Sequence, residues 1–590
     1  MIWNHKPNTV IANIITMTGY IIGLLITVFI VCIICLHTVI YSFKDITDWT
    51  DSTKPIAYIS LLTGLMLLLM FSFFIRKTIS KLSMKTIMIT CMIIIAVIGS
   101  LWCIYVVNIP DINDPYSLMD LAATLHTQGS IRMNHDLYIP YGNRLHEYIM
   151  HMPYQSGMIL YDWLIMCITG VSMNFLPFQL INSIIIMPVS ALLFTLISGE
   201  LADILKPNDD EHKQNVMKTT IILLTIFTPF SFYSWKIYGN IISMPFTLFA
   251  ILLIIRLLRT HDENSNVSIK KTIRIILLCF SLFMMAWLKP NTSIMLIALM
   301  ITLITSIIGK PELFKLIMLI LLPLSFTAGY NTPIMIMQNY TDFNLNDNRS
   351  PAVSWIAMGT QYNGSKQEAP GAFVQDYYDI TFNTDADNAN EAMKKQALSN
   401  INNMIANNDV MNFIRMKNIW LWSEPSFSTY MRPATNKITW NDETNINQVN
   451  VFRKSDLRYK TPDNPDNKVE FTDLQALLMN HYHYYYYIID AIQTMIILAA
   501  LTGVILIMKR TNKNDNSEMQ ACDANSKILL ILPLIIITGG FLFHCFWEAM
   551  PEYAYTYFLF FIPYASIGLN NADYMKMIRK TIMVFHADKK

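Results

Sequence analysis

Thr86-Ile-Met-Ile-Thr-Cys-Met-Ile-Ile-Ile-Ala-Val-Ile-Gly-Ser-Leu-Trp-Cys-Ile-Tyr-Val-Val107 is followed directly by Asn108-Ile-Pro-Asp-Ile-Asn-Asp-Pro-Tyr-Ser-Leu-Met-Asp120. The first stretch holds no charged residue and, as a helix, is long enough to cross a hydrocarbon core of about 30 Å. The second places three carboxylates, Asp111, Asp114 and Asp120, where that span meets water. A spanning helix that ends in a knot of acids is the unit from which the rest of the chain is read.

Runs of the same kind recur. Of the 590 residues, 53% are hydrophobic and 14% charged, against about 25% charged in an ordinary soluble chain. Backbone facing lipid must satisfy its own hydrogen bonds, so such runs are helices, and the alternation of a barrel strand is absent. The fold class is therefore an all-α polytopic membrane protein. A net charge of +1 provides no electrostatic footprint for nucleic acid. Cys32 and Cys35 have C-x-x-C spacing, but they lie inside the first apolar run with no second pair to complete a site. The eight cysteines read as small hydrophobes. The first run is too long for a signal-peptide core and is read as a retained span.

Charge between the runs sets the expected topology. Arg76, Lys77, Lys81 and Lys85 stand without an acid between the second and third runs, which places that loop in the cytoplasm. The expected spans are 10–43, 55–75, 86–107, 176–204, 218–235, 240–258, 272–288, 292–308, 316–333, 486–508, 527–546 and 554–570. Residues 157–173, with Asp162 and Trp163 inside, read as an interfacial or re-entrant helix. Counting them as a span would put Arg256, Arg259, Lys270, Lys271 and Arg274 outside. About twelve spans result, with both termini cytoplasmic. The expected division is a two-span N-terminal addition (1–85), a transmembrane core (86–333) with its first outer loop at 108–156, an extracytoplasmic domain (334–482), and C-terminal helices with a cytoplasmic tail (483–590). Leu118–Leu125 reads as a short helix lying on the membrane. No internal repeat is visible. His481 and His483 stand among tyrosines, and that stretch reads as an interfacial aromatic belt ahead of a metal pair.

On this topology polar groups gather at the outer ends: Asp111 and Asp114 after the third run, Tyr238 and Asn240 between 218–235 and 240–258, Lys289 before 292–308, and Glu548 before 554–570. A carboxylate at such an edge serves as a general base if it reaches a substrate hydroxyl, and otherwise is a solvated loop residue or a helix cap.

Asp114-Pro-Tyr-Ser-Leu-Met-Asp-Leu-Ala122, Gly129 and Tyr148-Ile-Met-His-Met-Pro-Tyr-Gln-Ser-Gly157 resemble the first outer loop of bacterial integral-membrane glycosyltransferases of the GT-C class, relatives of the protein mannosyltransferase and lipid A aminoarabinose transferase families. The resemblance continues through Tyr238-Gly-Asn-Ile-Ile-Ser-Met-Pro245, Leu288-Lys-Pro-Asn291, Lys417-Asn-Ile-Trp-Leu-Trp-Ser-Glu-Pro425 and Phe541-Leu-Phe-His-Cys-Phe-Trp-Glu-Ala549 with Tyr553. It implies a GT-C-like core and transfer of a sugar, with inversion, from a polyprenyl phosphate to an envelope glycan, lipid or protein at the outer face of a bacterial plasma membrane. Asp114, with Asp111 beside it, would be the catalytic acidic residue, taking the acceptor's proton as general base. Tyr148, Arg144, Tyr238, Asn240, Lys289, Trp355, Glu424, Glu548 and Tyr553 would bind substrate.

One departure matters. Related proteins carry a cation in the last outer loop, where this chain has Glu548-Ala-Met-Pro-Glu-Tyr553. A phosphate would then be held by Lys236, Lys289, Arg144, Arg349 or Arg415. No organic cofactor is called for; two neighbouring acids offer a divalent cation a place. A flippase of lipid-linked sugars, a non-catalytic partner subunit and a glycan polymerase or ligase stand as alternatives.

Overall fold

The computed structural model describes residues 7–41, 49–51, 56–106, 114–133, 145–170, 174–259, 269–362, 369–430, 449–450, 468–469, 477–478, 481–512, 524–572 and 574. Asp111 and Arg144 lie outside the described residues.

The chain is a bundle of helices. In order they are α1 (Pro7–Leu36), α2 (Ile56–Lys77), α3 (Met84–Tyr105), α4 (Asp114–Gln128), α5 (Leu145–His151) and α6 (Ser156–Thr169). Then follow α7 (Leu176–Leu205), α8 (Asp210–Ile226), α9 (Pro229–Trp235) and α10 (Gly239–Arg259). The series continues with α11 (Ile269–Leu288), α12 (Ser293–Gly309), α13 (Leu313–Gln338), α14 (Val353–Gly359), α15 (Gln375–Asn383), α16 (Ala386–Ala406) and α17 (Val410–Trp422). It closes with α18 (Tyr482–Asn512), α19 (Ala524–Phe546), α20 (Pro551–Phe558) and α21 (Phe561–Asn571). Val39–Tyr41 pairs with Trp49–Asp51, and Val449–Asn450 with Lys468–Val469, as short antiparallel ladders.

Among the described residues, 10 helices are long and apolar enough to cross a membrane, and the pair α8–α9, bent by 63°, brings the total to 11 if it counts as one broken span. The architecture is that of a multi-pass membrane protein. Two of the expected twelve differ: 218–235 falls in the bent pair α8–α9, and 554–570 falls in two short helices, α20 and α21, which are not among the candidate spans. Most of their side chains are buried, so their backbone break is surrounded by protein, the setting in which non-helical backbone is tolerated at membrane depth. α6 has 14 residues, too short to span, and packs against α4.

α4 corrects the reading of Leu118–Leu125 as a surface helix. It begins four residues earlier, at Asp114, and Pro115 to Leu125 are buried except for Asp120, which is partly exposed. A helix lying on lipid would keep one face exposed; this one lies between α6 and its neighbours. The described part of 334–482 is mainly helical, and α14 sits on α16. The two N-terminal spans pack on the C-terminal helices, α1 against α18 and α19, and α2 against α18. The join is polar at one point: Thr38 Oγ1 donates to Asp490 Oδ2 at 2.5 Å, and Val39 N to the Ser423 carbonyl at 3.2 Å.

Candidate functional site

Two glycines set the geometry of the site. At Gly157 an added Cβ would stand 1.7 Å from the Trp287 carbonyl oxygen, and at Gly239 one would stand 2.2 Å from that of Leu288. Only hydrogen fits in either gap. The turn from α11 into α12 therefore lies directly on the starts of α6 and α10, and the Trp287 indole N–H donates to the Gly157 carbonyl at 3.1 Å. This contact brings Lys289, which follows that turn, to the Tyr238 ring, with Nζ 3.9 Å from its centroid, inside cation–π range.

Tyr238 in turn holds Asp114. Its hydroxyl donates to Asp114 Oδ2 at 3.1 Å and accepts from Gln155 Nε2 at 2.7 Å. Burial lifts the Tyr238 phenol well above its ordinary value, and the Asp114 charge adds to the effect. The phenol therefore stays protonated and serves as a donor. Asp114 is the first residue of α4, where the helix dipole favours negative charge.

These groups line a cavity of about 450 Å³, within the range of small-ligand sites. Asp114, Tyr238, Asn240, Lys289, Trp355, Glu548 and Tyr553, all named from the sequence, line it together. Its other wall is apolar: Phe194 of α7, Met244 and Leu248 of α10, Met295 of α12, Phe543 of α19 and Phe560 between α20 and α21. Burial pushes the half-buried Lys289 ammonium down to about 8, while Asp114 pulls it back up. Its remaining surface faces the cavity. Arg349 also lines the cavity and pairs with the Tyr330 hydroxyl.

The loop after α19 is pinned from behind. Glu548 N donates to the Trp355 carbonyl at 3.0 Å, and Ala549 N to that of Gly371 at 2.7 Å. Lys417 Nζ donates to the Trp547 carbonyl at 2.8 Å and the Gly359 carbonyl at 2.5 Å. Lys417 is fully buried, and burial lowers it to about 7. Lys236, named from the sequence as a phosphate contact, forms a buried ion pair with Glu552 and is not among the residues lining the cavity. Arg415 is exposed and bonds Asn412, away from the cavity.

Two residues named as substrate contacts lie elsewhere. Tyr148 is buried in the packing of α4, α5 and α6 and does not line the cavity. Glu424 is fully buried. Its carboxylate accepts from Ser426 N at 3.1 Å, Ser426 Oγ at 2.6 Å and Ser428 N at 2.6 Å. It closes a turn in which Phe427 and Ser428 take positive φ of 49° and 62°, and burial lifts it to about 7. Trp420 and Trp422, in the quoted stretch Lys417–Pro425, are core residues. Among the described residues no group of three or more acids, histidines and cysteines is arranged to hold a metal ion.

Sequence reasoning did not name Gln155, Tyr154 or His544 as site residues. Tyr154 and His544 line the cavity, and Gln155 stands behind Tyr238. His544 Nδ1 lies 3.3 Å from the Glu548 carbonyl oxygen. A carbonyl only accepts, so Nδ1 carries the ring proton. All three residues fall within stretches quoted from the sequence, but nothing in their spacing shows which way they face.

No family model matches the chain, and no curated protein matches it.

Proposed function

We propose that the protein is a membrane glycosyltransferase that moves a sugar from a polyprenyl-phosphate donor to an envelope acceptor at the extracytoplasmic face. The observation that carries this reading is the mixed lining of the cavity. It holds two carboxylates, two cations and several aromatic rings beside apolar side chains from four spanning segments. An occupant that suits this lining has a polar head, its phosphate set against the two cations, and a greasy tail.

In this reading the acceptor hydroxyl oxygen attacks the sugar C1 as the C1–O bond to phosphate breaks. Asp114 takes the hydroxyl proton, acting as general base. The phosphate oxygen leaves with the bond's electron pair, and Lys289 and Arg349 stabilise its charge. Tyr238 and Asn240 position the reacting groups, and the aromatic rings of Trp355 and Tyr553 offer faces to a sugar. The resemblance of the Asp114, Tyr238, Lys289 and Glu548 stretches to GT-C enzymes supports the same reading.

The test is sugar transfer by the purified protein in lipid, from polyprenyl-phosphate hexoses to a cell-wall extract, wild type beside Asp114→Asn. The expected result is transfer that disappears in a folded Asp114→Asn variant. Full transfer by that variant would remove Asp114 from the mechanism.

A flippase is the second reading. It is favoured by the bent pair α8–α9, since discontinuous helices flank substrate sites in many transporters. Movement of lipid-linked sugar across vesicles, with no acceptor modified, would select it.

A further inference from the structure

Gln155 has no part in the chemistry above, yet it is 1% exposed and its amide nitrogen lies 2.7 Å from the Tyr238 hydroxyl. An amide N–H only donates. The Tyr238 oxygen must therefore accept from Gln155, which leaves its single hydrogen for Asp114 Oδ2, 3.1 Å away. The direction of the second bond is dictated by the first.

We propose that Gln155 is a positioning residue: its amide fixes the Tyr238 hydroxyl so that the phenol hydrogen is always donated to Asp114, holding that carboxylate turned into the cavity as an acceptor. The inference deepens the transferase reading and rests on it for its meaning, but the hydrogen-bond chain stands on geometry alone. A phenol free to rotate presents its lone pairs to Asp114 part of the time; one clamped by Gln155 does not. The chain draws on three elements, the turn before α6, the residue before α10 and the first residue of α4. It registers them against one another at the mouth of the cavity.

Substituting glutamate for Gln155 reverses the direction. A carboxylate at 155 accepts, draws the phenol hydrogen toward itself and leaves the Tyr238 oxygen facing Asp114. Asp114 then loses a donor, which raises the pH at which it takes up a proton. Among the described residues, Tyr148 and Tyr154 from α5 and the turn after it, and Lys289 from the α11–α12 junction, interact electrostatically with Asp114; Asp120 shares its helix. None of these changes in the variant.

The experiment is carbodiimide labelling of the full-length protein in lipid across pH, with the Asp114 peptide quantified by mass spectrometry, beside the pH profile of hexose transfer. Gln155→Glu is expected to move the Asp114 labelling midpoint up by about one pH unit, with the acid limb of transfer following it. Gln155→Met keeps the packing volume, removes the donor and is expected to move the midpoint in the same direction by less. Because the new charge of Gln155→Glu raises the midpoint by itself, Gln155→Met decides: an unchanged midpoint in that variant overturns the proposal, and a role in packing alone would lower yield or melting temperature and leave that midpoint in place. If the wild type transfers no sugar, the labelling result still decides this inference, and the transferase reading fails separately.

Discussion

The helices α7 and α10 each carry polar groups at both ends, and the two ends use charge differently. At one end Glu200 accepts from Arg256 at 2.8 Å and Arg259 at 2.9 Å, and Asp203 accepts from Arg259 at 2.5 Å and Lys213 at 3.4 Å. These side chains are partly exposed, every carboxylate meets a cation, and the arginines stand in the last turn of α10 where the helix dipole favours them. At the other end of α10, Asn240 and Ser243 face the cavity with Asp114, Lys289 and Glu548, and Phe194 and Leu248 line it from within the two helices. There the charges are drawn from separate segments and share the lining of one space. The first cluster is an anchor whose job is finished by its own pairing. The second is assembled at a cost in solvation around a cavity.

The contrast can be broken most severely at Lys236 and Glu552, which lie behind the cavity and are both buried. Lys236→Met leaves Glu552 as a buried charge without its cation and is expected to cost about 3–5 kcal/mol, seen as a large fall in melting temperature in detergent. The double variant Lys236→Met/Glu552→Met is expected to recover most of that loss, because well-packed apolar residues replace a buried pair at little cost. A double variant as unstable as the single one would show that the pair does more than neutralise itself.

Gly239→Ala comes next. The new methyl meets the Leu288 carbonyl at 2.2 Å, so the α11–α12 turn must move away and carry Lys289 from Tyr238. Binding of a polyprenyl-phosphate probe is expected to weaken at least about tenfold, the scale of a displaced charged hydrogen bond. Unchanged binding would detach Lys289 from the site.

A subtler effect follows from pH. Burial holds Lys289 at about 8, below its ordinary value, so its charge is present below that pH and lost as pH rises through it. Probe affinity is expected to be flat at neutral pH and to fall by up to about tenfold per unit above 8. The sign for folding is opposite, since a desolvated ammonium that sheds its proton relieves strain; stability contributed by this site rises over the same window. Lys289→Arg should abolish the affinity fall. The smallest effect belongs to the anchor: Glu200→Gln should cost about 1 kcal/mol or less per partly exposed pair and leave probe affinity unchanged.

The two ends also differ in how far the sequence exposed them. Spans were legible because hydropathy is a local property; α3 and α11 fall within a few residues of where their apolar runs end. Asp114, Tyr238, Lys289 and Glu548 were legible as loop residues at one end of the bundle, since alternating topology alone gathers them. What escaped was tertiary. Glu424 looks like any loop acid until its turn is seen, with two residues at positive φ and three donors converging on one carboxylate. Tyr148 lies in a quoted motif but points into packing. The break between α20 and α21 was hidden because a buried segment need not be continuous to stay apolar. Gln155 was visible in Pro153-Tyr-Gln-Ser-Gly157, but its partner is on a different helix, and no spacing encodes that.

The central claim is that one cavity holds both the charged head and the greasy tail of a lipid-linked sugar. It is tested most directly with a polyprenyl-phosphate hexose that carries a photoreactive group in its tail, crosslinked to the protein in lipid and mapped by peptide mass. The account predicts labels on the segments bearing Phe194, Leu248, Met295 and Phe560, displaced by unlabelled donor. Labels confined to the lipid-facing sides of α1 and α2, and not displaced by donor, would contradict it.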